Sequence, residues 1–417
     1  MIRTRLLITV ATAAVALPLA AAGPAAADSI VYVKDRNVWI AQPDGSGNRQ
    51  VTFDGAEYSA YLDPAQSADG TIWAGKGDEI VKLDQQGTVL AQWDPPATVD
   101  STSTFLDGVP QDLAVSPDGR KLTFTYYSYG CPVAAPCGVR TTTLFSHADR
   151  LTPPEELGYE FSFRSTQWVT NDKVLGFNGH GRQVAWDTVG TEHYDATHWF
   201  DDPGNEDLGD GELSPQGDRL AALRSYGESL HLQIFKVANQ TDVPVPACQT
   251  GNDSTLSDPA WSPDGKRLAF EHEEGIEILP LPTVVEGDCP GAQSGTVTIP
   301  GGTQPSWGPA DVQPRYTIEA DVAKGTRLAR ALAKGLRLAV TTNVAGRLSG
   351  RVLVGGKPVA AGAAQLAAGA GTITFRFTKQ ARKALAKRRK AAFAIEASFA
   401  AKGAAPMPVT GTVTVRR

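Results

Sequence analysis

Short runs of alternating apolar and polar residues extend from Ile30 to Ile299, and one turn phrase recurs between them. Ser116-Pro117-Asp118-Gly119 leads into Leu122 and Phe124, and Ser262-Pro263-Asp264-Gly265 into Leu268 and Phe270. Ser214-Pro215-Gln216-Gly217 leads into Leu220, and Ser67-Ala68-Asp69-Gly70 into Ile72. Proline presets φ at the first central position of such a turn, Asp suits the next, and Gly takes the left-handed one. Period-two alternation bounded by these turns predicts β-strands. A further strand follows in each unit, at 37–41, 79–83, 141–145, 183–186, 230–235 and 276–279. A third is expected at 50–53, 88–91, 242–245 and 296–299, and the fourth is the short piece before each phrase, as in Asp258-Pro259-Ala260-Trp261. The unit near Trp168 keeps the strands but lacks the Ser-Pro.

Six such units over residues 28–312 average about 47 residues, close to a four-stranded propeller blade. The first unit starts at Ile30-Val31-Tyr32-Val33 without its short strand, and Gln304-Pro305-Ser306-Trp307 is a short strand with nothing after it. The two ends complement each other, so strand exchange between them is expected to close the ring and remove its exposed edges. The Asp of each turn phrase and Trp39, Trp168, Trp186, Trp261 and Trp307 are read as structural, the tryptophans packing between blades.

The stretch 37–52, Asn37-Val38-Trp39-Ile40-Ala41-Gln42-Pro43-Asp44-Gly45 onward, resembles the repeat of TolB-type six-bladed propellers, relatives of the WD-type repeat. So does Asp258-Pro259-Ala260-Trp261-Ser262-Pro263-Asp264-Gly265-Lys266-Arg267-Leu268-Ala269-Phe270. The resemblance covers roughly 28–310. It implies an all-β fold and, as in TolB, a protein-binding role without catalysis. Related propellers gate substrate in prolyl-oligopeptidase-type enzymes. No partner-binding residue of that family has a recognisable counterpart here.

After Val312 the composition shifts to Ala, Arg, Lys and Gly. Strands are expected at 336–340, 348–353, 372–377, 392–395 and 410–415, with a hairpin turn at Gly355-Gly356. Helical pieces are expected at 327–333 and 379–388, the second capped by Thr378. The pattern suggests a small immunoglobulin-like β-sandwich and resembles modules appended to exported bacterial proteins. The expected division is therefore a signal peptide at 1–27, a propeller at 28–312 and a basic sandwich at 313–417.

The net charge of −6 hides an opposition between these units. Residues 313–417 hold 20 basic and three acidic residues, a net +17, whereas residues 28–312 hold 17 basic and 42 acidic, a net −25. Such asymmetry marks two units with different electrostatic partners. Arg382, Lys383, Lys387, Arg388, Arg389 and Lys390 form the densest basic cluster. It fits docking to an anionic cell-envelope polymer or lipid head groups. It equally fits docking onto the acidic propeller or a plain solvated face. No aromatics interleave with it, so no nucleic-acid partner is expected.

Arg3 and Arg5, an apolar run from Leu6 to Ala22 and Ala25-Ala26-Ala27 read as a cleaved secretion signal rather than an anchor. No later stretch is apolar enough for a membrane helix. Four cysteines in an exported chain read as disulfides with three alternative pairings; Cys131–Cys137 with Cys248–Cys289 is favoured over a metal site.

Chemistry is sparse. There is no Gly-x-Ser-x-Gly elbow, phosphate loop or His-Glu-x-x-His, and the part beyond the propeller is too short for a hydrolase domain. His193 and His198 share one loop, and Asp201 to Glu212 is the densest run of oxygen ligands, though its spacing fits no calcium loop. No catalytic, cofactor or metal residue is assigned. The reading is an exported, monomeric, non-enzymatic binding protein for an unknown protein or small molecule. The alternative is a propeller lyase or hydrolase with a metal-assisted site in its channel. An apolar or plugged channel would favour the first, and His and carboxylates converging at one mouth the second.

Overall fold

The computed structural model describes residues 28–130, 137–178, 183–190, 196–283, 285–290, 297–322, 326–401 and 406–417. The expected signal segment, Cys131 and His193 lie outside them. Six antiparallel sheets form the blades, and their innermost strands touch in a closed cycle. Those innermost strands are Tyr61–Gln66, Gln111–Val115, Phe163–Trp168, Leu208–Leu213, Ser257–Trp261 and Thr303–Gly308.

The last of these belongs to the first blade. Thr303–Gly308 pairs with Ser29–Lys34, setting Ile30 opposite Trp307 and Val31 opposite Ser306. The expected exchange of ends is what closes the ring. The turn phrases behave as read. Gly70, Gly119, Gly217 and Gly265 all take φ between 65° and 83°. Each donates its N–H to the carbonyl of its phrase's Ser. The Ser262 hydroxyl donates to Asp264 and accepts from the N–H groups of Lys266 and Arg267.

Some outer strands differ from expectation. The strand expected at 242–245 is Val245–Gln249, because Asn239 Oδ1 captures the N–H groups of Thr241 and Asp242 in a turn. The strand at 50–53 shrinks to Arg49–Gln50, since Thr52 turns its hydroxyl to the Val38 N–H. Tyr159–Phe161 and Thr197–Asp201 complete the third and fourth blades without a clear alternating signal.

Cys248 and Cys289 are bonded across 41 residues, and Gly287–Asp288 pairs in parallel beside Cys248 as a fifth strand of the fifth blade. Cys137 is also disulfide-bonded. Replacing Cys248 and Cys289 by Ser should lower stability by about 4 kcal/mol, the loop-entropy scale for a loop of this length, measured as a shift in the urea midpoint.

The C-terminal unit is an immunoglobulin-like sandwich. One layer holds Ile318–Val322, Leu336–Thr342 and Gly369–Phe377; the other holds Lys357–Leu366, Gly346–Val354, Lys390–Ala401 and Met407–Arg416. Strand Gly369–Phe377 turns from one layer to the other, since Phe375 pairs with Leu336 while Phe377 pairs with Ala360. Leu338, Ile373, Phe375, Phe393 and Phe399 fill the core, sealed by Leu328, Leu332 and Leu385 of helices Leu328–Lys334 and Lys379–Leu385. Thr378 caps the second helix, accepting from the Ala381 N–H at 3.1 Å.

The connecting segment is laced to the first two blades. Gln85 accepts from the Gln313 N–H at 2.7 Å and donates to the Asp311 carbonyl at 3.0 Å. Gln86 accepts from the Tyr316 N–H, and Arg49 donates to the Gln313 carbonyl. Among the described residues no helix is long and apolar enough to cross a membrane.

Candidate functional site

The channel is where a propeller can gather side chains from every blade. Each innermost strand carries a β-bulge. At each bulge one residue adopts positive φ: Asp63, Asp112, Ser165, Asp210, Asp258 and Gln304, between 36° and 52°. A bulge re-aims the side chain it carries, and Asp tolerates the left-handed region better than most residues. The outcome is a ring of six equivalent positions, four of them Asp, around a cavity of about 210 Å³.

Four of these side chains reach along the ring to the next blade. Gln304 accepts from the Asp63 N–H at 3.1 Å, Asp63 from the Asp112 N–H at 2.8 Å, and Asp112 from the Ser165 N–H at 2.8 Å. Tyr127 also donates its hydroxyl to Asp112. Asp210 accepts from the Asp258 N–H at 2.5 Å. Ser165 is too short to span the next junction. Gln167, one tier deeper, does so, accepting from the Leu213 N–H at 2.6 Å and donating to the Leu213 carbonyl at 2.9 Å. Glu212 accepts from the Trp261 N–H at 2.7 Å, and Glu271 from the Gln304 N–H at 2.9 Å. Every blade-to-blade junction is thus tied by a side-chain oxygen to a backbone N–H.

Electrostatics in the channel are strained. Its acids are half-buried by surface, since the lumen admits water, yet walled laterally by protein. Loss of hydration pushes the Asp63 carboxyl up to about 7, with Asp112 adding repulsion. The same loss pushes Glu212 up to about 8. Asp210 and Asp258 rise for that reason and because each faces other carboxylates. Asp112 rises less freely, opposed by the Tyr127 hydroxyl, the Ser165 N–H and the Arg164 charge. Despite their number, no three His, Cys, Asp or Glu among the described residues converge as a metal would need.

The acidic run 201–212 is therefore not one site. Asp202 is buried, accepts from the N–H groups of Gly204 and Glu206 and pairs with Arg224 at 3.0 Å. Asp210 and Glu212 belong to the channel. His198 pairs at the surface with Asp201. The tryptophans hold blades together: Trp168 Nε1 donates to the Ala114 carbonyl, Trp261 Nε1 to that of Glu212.

The predicted basic cluster, Arg382, Lys383, Lys387, Arg388, Arg389 and Lys390, is exposed throughout. None of its side chains bonds to the propeller among the described residues. Sequence reasoning passed over the channel ring. Its signal was an Asp four residues before the Ser of the turn phrase, as in Asp63/Ser67, Asp112/Ser116, Asp210/Ser214 and Asp258/Ser262.

No protein-family model matches the chain, and no curated protein does. Among solved structures it is similar to TolB from Acinetobacter baumannii, with 15% identity and a TM-score of 0.43 over 67% of this chain and 66% of that one. It is also similar to an oligogalacturonate lyase in complex with manganese, with 11% identity and a TM-score of 0.39 over 59% of this chain and 68% of that one. A Mycobacterium tuberculosis puromycin-hydrolyzing peptidase gives 13% identity and 0.39 over 76% and 49%. At these scores the likenesses carry no argument about activity; the six-bladed ring stands on the strand pairings above.

Proposed function

We propose that this is an exported, non-enzymatic binding protein of the cell envelope. The propeller serves as the recognition scaffold and the basic sandwich as the module that docks to anionic envelope material. The observation that carries the reading is the commitment of the side-chain oxygens of Gln304, Asp63, Asp112, Gln167, Asp210, Glu212 and Glu271 to backbone bonds between blades. The outer unit supports it: within the sandwich the only ion pair among the described residues is Arg351 with Glu396, so its net positive charge faces solvent.

The test is co-sedimentation of the full chain with purified bacterial envelopes. Retention is expected at low salt and release at about 0.5 M, where screening shortens to a few ångströms. Replacing Lys387, Arg388, Arg389 and Lys390 by Gln should weaken it. Salt-independent retention, or none, would contradict docking. A second reading, an enzyme with a metal-assisted channel site, draws on the raised carboxyls of Asp63 and Glu212, since acid–base sites gather such groups. Calorimetry with manganese or calcium separates the two: stoichiometric tight binding abolished by Asp63→Asn would favour the enzyme.

A further inference from the structure

We infer that the sandwich carries a built binding groove for a linear, phosphate-bearing polyanion, on the outer face of its three-stranded layer and apart from the 382–390 cluster. The inference rests on the reading of the sandwich as a docking module and assigns where on it the polymer sits.

The groove has a volume of about 600 Å³. Arg330 and Lys334 line it from helix Leu328–Lys334, Arg337 from strand Leu336–Thr342, and Thr372, Thr374 and Arg376 from strand Gly369–Phe377. Register makes this a designed juxtaposition: Arg337 lies directly opposite Thr374, and Ala339 opposite Thr372. Arg376 is two residues on from Thr374 and shares its face. Arg330 and Lys334 are one helical turn apart, a like-charge spacing that destabilises a helix. None of the four cations has a hydrogen bond or ion pair among the described residues. The carboxylates of that face, Glu319 and Asp321 on the neighbouring edge strand, stand opposite Thr341 and Ala339, and neither pairs with them. Four gathered cations that form no ion pair among the described residues are unfavourable in the free protein and favourable once an anion arrives.

The chemistry of the walls narrows the ligand. Three guanidinium forks and the hydroxyls of Thr372 and Thr374 suit tetrahedral oxyanions, which accept several donors at once. The volume equals roughly twenty waters, far more than one phosphate fills, so a chain with repeated phosphates fits. Among the described residues no aromatic side chain lines the groove for a base to stack on, which disfavours nucleic acid.

The test is titration calorimetry of the full chain with inorganic polyphosphate, against inorganic phosphate, polygalacturonate and a poly-dT strand. Polyphosphate should bind most tightly and inorganic phosphate weakly. Arg337→Gln with Arg376→Gln should weaken polyphosphate about tenfold or more with the melting temperature unchanged, while Lys387→Gln with Arg388→Gln should cost about threefold or less. Tighter binding of polygalacturonate or poly-dT would overturn the ligand assignment. Equal losses from both pairs, or none from the groove pair, would overturn the groove and leave docking standing. No binding of any polyanion by the unaltered chain would overturn both.

Discussion

Trp307→Ala should destabilise the propeller by roughly 3–5 kcal/mol, the range for removing a large buried aromatic. Trp307 lies on the strand that closes the ring. It packs with Ile30 and Tyr32 of the first blade and with Ala260, Ile276 and Ile299 of the sixth. Its Nε1 donates to Asp28 at 3.2 Å, and the Arg267 guanidinium, bonded to Asp28 at 2.7 Å, lies 4.7 Å from the ring centre. One substitution therefore removes the side-chain packing between the propeller's first and last strands, together with the indole's bond to Asp28 and its contact with the Arg267 guanidinium. Exposed Tyr226→Ala is the control, with a change within about 0.5 kcal/mol. Urea unfolding of both checks the contrast; comparable losses would mean that the ring does not depend on this closure.

Stability should peak at mildly acidic pH and fall as pH rises from about 5 to 8. Asp63, Glu212, Asp210 and Asp258 all have folded-state values above those of the unfolded chain. A carboxyl raised in this way binds its proton more tightly when folded. Its contribution is fully present below the unfolded value near 4 and is lost as pH passes through the folded one, here about 7 for Asp63 and about 8 for Glu212. Below pH 4 the sign reverses, because Asp69, Asp100, Asp253 and Asp264 are held low by hydroxyl and backbone donors and lose that support on protonation. Allowing for water in the lumen, the fall from pH 5 to 8 should be roughly 2 kcal/mol, several degrees in melting temperature for a unit of this size. Scanning calorimetry across that range measures it; a midpoint rising toward pH 8 would contradict the assignment.

The blade count and the closure were legible because four of the six units repeat one turn phrase, all six keep the strand pattern, and the two ends lack complementary pieces. The channel ring was half legible. Its Asp recurs at a fixed offset in four units, but Ser165 and Gln304 occupy the other two positions, and the deeper ties through Gln167, Glu212 and Glu271 follow no repeat. What a bulge does to a side chain's direction is a property of backbone register, which residue type does not announce. In the sandwich, Lys357–Leu366 was missed because its Ala- and Gly-rich run has little β-propensity and is held by its neighbours. The groove was invisible for another reason. Contiguous charge drew attention to 382–390, whereas Arg330, Arg337 and Arg376 meet only through strand pairing and helix packing.

The role of the channel carboxylates is tested most directly by comparing Asn and Ala at Asp63 in melts at pH 8. Asn keeps an oxygen for the Asp112 N–H and discards the charge, so Asp63→Asn should raise the midpoint. Asp63→Ala discards both and orphans that N–H, so it should lose about 1–3 kcal/mol relative to Asn. Equal midpoints for the two variants would show that the oxygen does not tie the blades and would contradict the account.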